Sequence, residues 1–273
     1  MAGYDWITFT SDYGLADHFV GVCHGVMARV APEARVLDVS HAVGAQDVRQ
    51  GARVLAEAVP YLPRAVHLAV VDPEVGTARG MVAVEAGGQV LVGPDNGLLV
   101  WAAEALGGVG RVVALENKAY RLEPVSRTFH GRDVFAPAAA HVAAGVDPGE
   151  LGPELDPARL VRLERPAARV EGERALASVV AVDHFGNLAL DLRREDLELA
   201  GVTVGDAVEV RAGGRAHRVV VAETFASVAA GELVLHEDSF GSLALAVNQG
   251  RAADLLGAGA GDPVEIAWKP GGA

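Results

Sequence analysis

Val66-His67-Leu68-Ala69-Val70-Val71 is an almost unbroken apolar run that stops at Asp72. A strand covered on one face alternates apolar and polar residues, whereas a strand covered on both faces is apolar throughout. The run therefore reads as a central parallel strand with helices on either side. Upstream, Trp6-Ile7-Thr8-Phe9-Thr10 is β-rich and passes through the turn Ser11-Asp12-Tyr13-Gly14 into a helical pattern from Asp17 to about Val30, stopped by Pro32. Val36-Leu37-Asp38-Val39 is a second strand, and Asp47 to about Tyr61 a helix capped by Asp47, with Val48, Gly51, Leu55 and Val59 along one side. Strand and helix thus alternate, as in βαβ units.

Downstream, Met81–Val84 and Gln89–Val92 flank Ala86-Gly87-Gly88 as a hairpin, and helices are expected from Asn96 to Leu106 and from Arg132 to Ala144. From Asp147 to about Arg174 the composition turns to Pro, Glu, Leu and Arg without a period, a connecting segment. Seven short β runs follow: Ser178–Val182, Leu188–Leu192, Ala207–Arg211, Arg218–Ala222, Leu233–His236, Leu243–Val247 and Val264–Ala267. The fold class expected is α/β: an N-terminal domain (1–160) with a mostly parallel sheet flanked by helices, a connecting segment (161–174), and a smaller C-terminal β-barrel-like domain (175–273).

The totals limit the function. Of 273 residues, 51% are apolar and 22% charged, enough for a sizeable core, and the formal net charge is −13. An acidic chain is a poor partner for nucleic acid or an anionic membrane surface. The single cysteine, Cys23, has no internal disulfide partner and sits in the apolar stretch of the first helix. No leader and no apolar run of spanning length is seen, so a cytoplasmic location is expected.

Ligands of open parallel sheets gather beyond the carboxyl ends of the strands, where Asp12, Ser40-His41 and Asp72 fall. Asp72-Pro73-Glu74-Val75-Gly76-Thr77-Ala78-Arg79 places a carboxylate and a guanidinium at the two ends of one turn, as a structural salt bridge or part of a site. In Thr128-Phe129-His130-Gly131-Arg132-Asp133, the imidazole of His130 and the amide of Gly131 precede a helix and would face whatever sits at its positive end. Asp95 and Asn96, in Gly93-Pro94-Asp95-Asn96-Gly97, are candidate ligand contacts or helix N-caps. Asp183-His184-Phe185-Gly186-Asn187 sets an aromatic face beside an amide, which suits an adenine ring or an ordinary hairpin turn. The nine histidines form no His-Glu-x-x-His and no close pair on one helix face. No Walker loop, Gly-x-Gly-x-x-Gly or Gly-x-Ser-x-Gly is present either. Neither a metal nor a cofactor is expected.

Taken in order, these turns resemble the SAM (S-adenosyl-L-methionine) hydroxide adenosyltransferase family, relatives of the fluorinases and chlorinases. The resemblance spans nearly the whole chain. It rests on Thr10-Ser11-Asp12-Tyr13-Gly14 with Asp17, Asp38-Val39-Ser40-His41, Asp72-Pro73-x-Val75-Gly76 through Arg79, Gly93-Pro94-Asp95-Asn96-Gly97, Phe129-His130-Gly131-Arg132-Asp133, Asp183-x-Phe185-Gly186-Asn187 and Ser239-x-Gly241. It implies hydrolysis of SAM to adenosine and methionine by water attacking C5′ of the ribose, with Asp72, Arg79 and His130 as the catalytic set. It further implies that Asp12 holds the ribose, that Asp17, Asp183 and Ser239 anchor the methionine part, and that Phe185 and Asn187 contact adenine. Asp95, Asn96, Phe129 and Gly131 complete the binding set, in a homotrimer with sites between subunits. The chain departs from the family pattern at Leu188-Ala189-Leu190-Asp191, where a Thr-Asn pair is usual, and at Asp238.

Two other readings compete with hydrolysis. One is halide-dependent adenosyl transfer of the chlorinase kind, in relatives that resemble this chain but carry tyrosine where Asp72 stands; fluorinases also carry serine where Gly131 stands. The other is a SAM- or adenosine-binding module that consumes nothing.

Overall fold

A computed structural model describes residues 3–269. They divide into two compact units, with the division between Leu163 and Glu164, inside the expected connecting segment. The ends of the expected domain spans, residues 1–2 and 270–273, lie outside the described residues.

The first unit is built on seven strands: β1 (Trp6–Ser11), β2 (Arg35–Ser40), β3 (Val66–Val70), β4 (Met81–Ala86), β5 (Gln89–Pro94), β6 (Val112–Ala114) and β7 (Glu154–Leu155), in the order β2-β1-β3-β5-β4-β6-β7. Strands β2, β1, β3 and β5 run parallel; β4, β6 and β7 extend the sheet antiparallel. Helix α1 (Phe19–Val30) links β1 to β2, and α2 (Val48–Ala58) links β2 to β3 past β1. Successive right-handed crossovers in opposite directions put the two helices on opposite faces. Accordingly Val20, Cys23, Val26 and Met27 of α1 pack in one apolar cluster, and Ala52 and Leu55 of α2 in another.

Strand β3 is buried along its length and serves both faces, with Val66, Leu68 and Val70 in the first cluster and Ala69 and Val71 in the second. Its one polar residue, His67, is neutralised in place. Thr8 Oγ1 lies 2.8 Å from Nδ1 and Gln89 Oε1 3.0 Å from Nε2, and burial pushes its pKa down. Asp47 caps α2 as expected, accepting from the Gln50 amide at 2.9 Å.

Several boundaries differ from the expectation. The third helix, α3 (Val100–Ala105), is shorter than Asn96–Leu106. Asn96 turns its side chain back, donating from Nδ2 to Val71 O (2.8 Å) and accepting the Leu98 amide on Oδ1 (3.2 Å), which holds residues 96–98 in a turn. The helix expected from Arg132 opens with a π-helical turn, Gly131–Phe135, before α4 (Ala136–Ala143).

The second unit contains β8 (Arg169–Glu171), β9 (Arg174–Val182), β10 (Leu188–Leu190), β11 (Ala207–Ala212), β12 (Arg215–Ala222), β13 (Leu233–Glu237), β14 (Leu243–Val247) and β15 (Pro263–Ala267). The order β10-β14-β13-β12-β11-β15-β9 closes through β9–β10 pairing into a seven-stranded barrel, with β8 lying outside on β9. Alternation along β9 and β11 sends every second residue into a core with Leu188, Leu190, Leu192, Leu235 and Leu245. Two helices escaped the periodicity, α5 (Arg194–Leu199) and α6 (Ala252–Leu256), because five or six residues are too few to display it. Among the described residues no helix is long and apolar enough to cross a membrane.

Leu68 is fully buried at the centre of the sheet. Leu68→Ala is expected to destabilise the first unit by about 2–5 kcal/mol, read as a lower denaturant midpoint in urea unfolding.

Candidate active site

The switch in strand order lies between β1 and β3, where a crevice opens beyond the strand ends because the flanking helices diverge to opposite faces. Ser11 is in register with Val70, so Asp12 and Asp72 leave the sheet side by side. Thr10 pairs with Ser40, bringing the Ser40-His41 end of β2 to the same rim.

From Asp72 the chain makes a turn whose Gly76 has φ +81°, and a Cβ there would lie 2.2 Å from Arg127 O. That close approach, open only to glycine, seats the turn against the segment leading to His130. Arg79 closes the turn and reaches both partners. It donates from Nε to Asp72 Oδ1 (2.8 Å) and from Nη2 to Asp72 Oδ2, forming a two-pronged clamp. Nη2 also lies 2.9 Å from His130 Nδ1, Nη1 donates to Gly80 O (3.2 Å), and the guanidinium carbon sits 5.2 Å from the Phe135 ring centroid. The Arg79 and Asp72 side chains are 4% and 5% exposed, so this pair is withdrawn from water. The three side chains taken from the sequence as a catalytic set converge on one point.

The clamp also decides the state of His130. A guanidinium only donates, so Nδ1 must accept, and the ring proton resides on Nε2. Burial and then the neighbouring Arg79 charge lower the His130 pKa, which keeps the ring neutral. The geometry thus makes His130 a neutral Nε2–H donor.

The other expected contacts are placed as follows. Asp12 accepts the Gln46 amide on Oδ2 at 2.8 Å. Asp17 is exposed in the loop before α1. Asp95 accepts the Val161 amide on Oδ1 (3.0 Å), and burial raises its pKa. Asn96 spends its amide on Val71 and Leu98, so its part is to hold the strand end from which Asp72 departs. Phe129 stacks edge-on against Tyr13 (5.8 Å) and Phe19 (5.2 Å).

In the second unit, Asp183 accepts both the backbone amide and Nδ2 of Asn187, bracing a turn that leaves Phe185 71% exposed. Ser239 is exposed in the β13–β14 turn. Leu188 pairs with Leu245, while the Leu243 amide bonds Leu192 O, so Ser239 and the 183–187 turn lie at opposite ends of the β10–β14 ladder. The structure does not bring those two together; only an elongated ligand could touch both.

Tyr13 was given no role by the sequence, yet it borders the site. A Cβ on Gly131 would fall 2.1 Å from the Tyr13 hydroxyl and 3.1 Å from Cζ, and the Tyr13 ring is hemmed in by Phe9, Phe19 and Phe129. Gly131 is therefore required by the tyrosine across from it. No spacing in the chain signals this, because residues 13 and 131 meet only in the folded state.

Residues 7–152 match the SAM hydroxide adenosyltransferase N-terminal domain and residues 177–265 the C-terminal domain. The chain belongs to the SAM hydroxide adenosyltransferase family. Among its relatives, an (R)-S-adenosyl-L-methionine hydrolase of Salinispora tropica is 53% identical over 266 residues, covering 97% of this chain and 99% of that one. More distant family members include a fluorinase of an Actinoplanes species, 30% identical over 270 residues, 89% of this chain and 90% of the relative. A crystal structure of an uncharacterized conserved protein from Thermotoga maritima superposes with a TM-score of 0.89 at 37% identity, covering 96% of this chain and all of that one.

Gly131→Ala is expected to lower stability by about 1–3 kcal/mol through overpacking against Tyr13. Tyr13→Phe in the same chain should recover part of the loss, measured by urea unfolding of the single and double variants.

Proposed function

We propose that this chain hydrolyses SAM to adenosine and L-methionine by attack of water at C5′ of the ribose. The observation that carries the reading is the Asp72–Arg79–His130 convergence at the switch point of the first sheet. The hydrolase relatives supply the substrate.

The chemistry fits the residues. A sulfonium departs as a neutral thioether, so no general acid is needed for the leaving group, and the demand falls on the nucleophile. Water must be held in line with the C5′–sulfur bond and must become hydroxide-like as it attacks. His130 offers Nε2–H as a donor to the nucleophilic oxygen, fixed in that tautomer by Arg79. Asp72 offers a carboxylate to orient the water or take its proton, and Arg79 anchors both groups. The same carboxylate beside the reacting carbon would repel a halide, which favours water over halide transfer. Withdrawal of the Asp72–Arg79 pair from solvent strengthens its electrostatic effect.

For the substrate, the reading takes Asp12 to the ribose, the exposed Phe185 with Asn187, in the turn that Asp183 braces, to adenine, and Asp17 and Ser239 to the methionine end; the separation of Asp183 from Ser239 takes Asp183 out of the methionine contacts. It further takes the enzyme as a cytoplasmic homotrimer with each SAM held between subunits. Analytical ultracentrifugation, with a trimer as the expected mass, checks the assembly.

Asp72→Asn and His130→Ala should each lower kcat by about 10²–10³-fold with SAM still bound. Turnover at the parent rate in both would remove the trio from the mechanism. With chloride and SAM supplied, chromatography should show adenosine and methionine and no halogenated nucleoside. A pH profile tests the tautomer. Protonating Nδ1 would set a donor against Arg79, so kcat should fall on the acid side, below the ordinary histidine range, through the depressed His130 pKa. The folded chain binds this proton less readily than the unfolded one. Stability should therefore rise with pH between the depressed and ordinary values and be lost as pH falls through that window.

A further inference from the structure

Outside the proposed catalytic trio, His24 on α1, Asp38 in β2 and His41 just beyond β2 converge from different elements. The Nε2 atoms of both histidines approach one oxygen, Asp38 Oδ1, at 2.8 Å (His24) and 3.0 Å (His41). The three candidate ligand atoms all lie within 4.8 Å of one another.

His41 supplies an independent sign. Its side chain is 3% exposed, and Nε2 is buried without a hydrogen bond, because Asp38 Oδ1 is near but off the direction in which that nitrogen bonds. A buried nitrogen left unpaired is costly and needs a partner. The opposite nitrogen, Nδ1, lies 2.7 Å from Ser11 Oγ, which also accepts the Tyr13 amide at 3.2 Å. When Nδ1–H donates to Ser11, the Nε2 lone pair points into the cluster, the outer-sphere arrangement that orients a metal-binding histidine. The Phe9 ring, 4.6 Å from His41 and 6.1 Å from His24, walls the inner side, while His24 and Asp38, 35% and 40% exposed, leave the outer side open.

We propose that His24, Asp38 and His41 bind a divalent transition-metal cation, with water completing its coordination. Two neutral imidazoles and one carboxylate suit zinc, cobalt or iron rather than magnesium or calcium, which take oxygen ligands. With bonds of about 2.0–2.1 Å to nitrogen, tetrahedral ligand atoms stand about 3.3 Å apart, so the 2.8 and 3.0 Å approaches to Asp38 Oδ1 open slightly around the cation, a movement open to the partly solvent-facing His24 and Asp38. None of the proposed catalytic residues is a ligand, and the cation takes no part in hydrolysis. Its effect is structural: His41 O accepts the Gly14 amide at 2.8 Å, so the cation ties α1 and β2 to the loop carrying Asp12.

The test is calorimetric titration of the tag-free, chelator-washed full chain with Zn²⁺, together with thermal unfolding. One Zn²⁺ should bind per chain and raise Tm. His24→Ala and Asp38→Asn, at a half-buried and an exposed position, should each weaken binding at least tenfold and abolish the rise in Tm, and Ser11→Ala should weaken it by about 10–100-fold. Asp72→Asn should bind as the parent does, and Co²⁺ should give a visible absorption band in the parent that His24→Ala lacks. Absence of stoichiometric Zn²⁺ binding, or binding unaltered by His24→Ala and Asp38→Asn, overturns the proposal; neither result bears on SAM hydrolysis.

Discussion

The clamp of Arg79 on Asp72 and His130 is the interaction on which the site depends. A guanidinium removed from water needs its charge met and its donors satisfied, and here two carboxylate oxygens, a backbone carbonyl and an imidazole nitrogen do so. Because those partners come from a strand end, a turn and a distant π-helical turn, satisfying one cation fixes three pieces of chain. The same contact sets the His130 tautomer, so structural and chemical roles are inseparable in this residue.

The clamp is possible because of the sheet beneath it. The reversal of strand order lies between β1 and β3, and β3, buried along its length, gives Asp72 a rigid point of departure. Asn96 reinforces that point from the neighbouring strand through Val71 O. Gly76 and Gly131 are the tolerances of the assembly: one lets the Asp72–Arg79 turn press against Arg127, and the other leaves room for Tyr13.

The rim carries a second cluster of a different character. Asp72, Arg79 and His130 satisfy one another, whereas His24, Asp38 and His41 leave a buried nitrogen unpaired. The first lies beyond the end of β3 and the second at the end of β2, two parallel strands that flank β1. Polar groups gather here because strand ends are where a doubly covered sheet returns to water.

Hydrophobic period determined most of the architecture. The apolar run at 66–71, the Asp47 cap and the alternating C-terminal runs each state a local preference that the fold obeys, and the turns following those strands were legible as a family pattern. Short elements were not, because α5 and α6 are too brief for a period to emerge, and the π-helical turn at Gly131–Phe135 has no local signature. Sequence placed Asp72, Arg79 and His130 in one site only through resemblance, since neither spacing nor composition says that residues 79 and 130 touch. Tertiary structure alone decided which nitrogen of His130 carries the proton, why residue 131 has no side chain, and that two histidines 17 positions apart share one carboxylate. The physical reason is the same in each case. Strand and helix are set by neighbours along the chain, whereas protonation, close packing and ligand geometry are set by groups that meet only when distant segments are packed together.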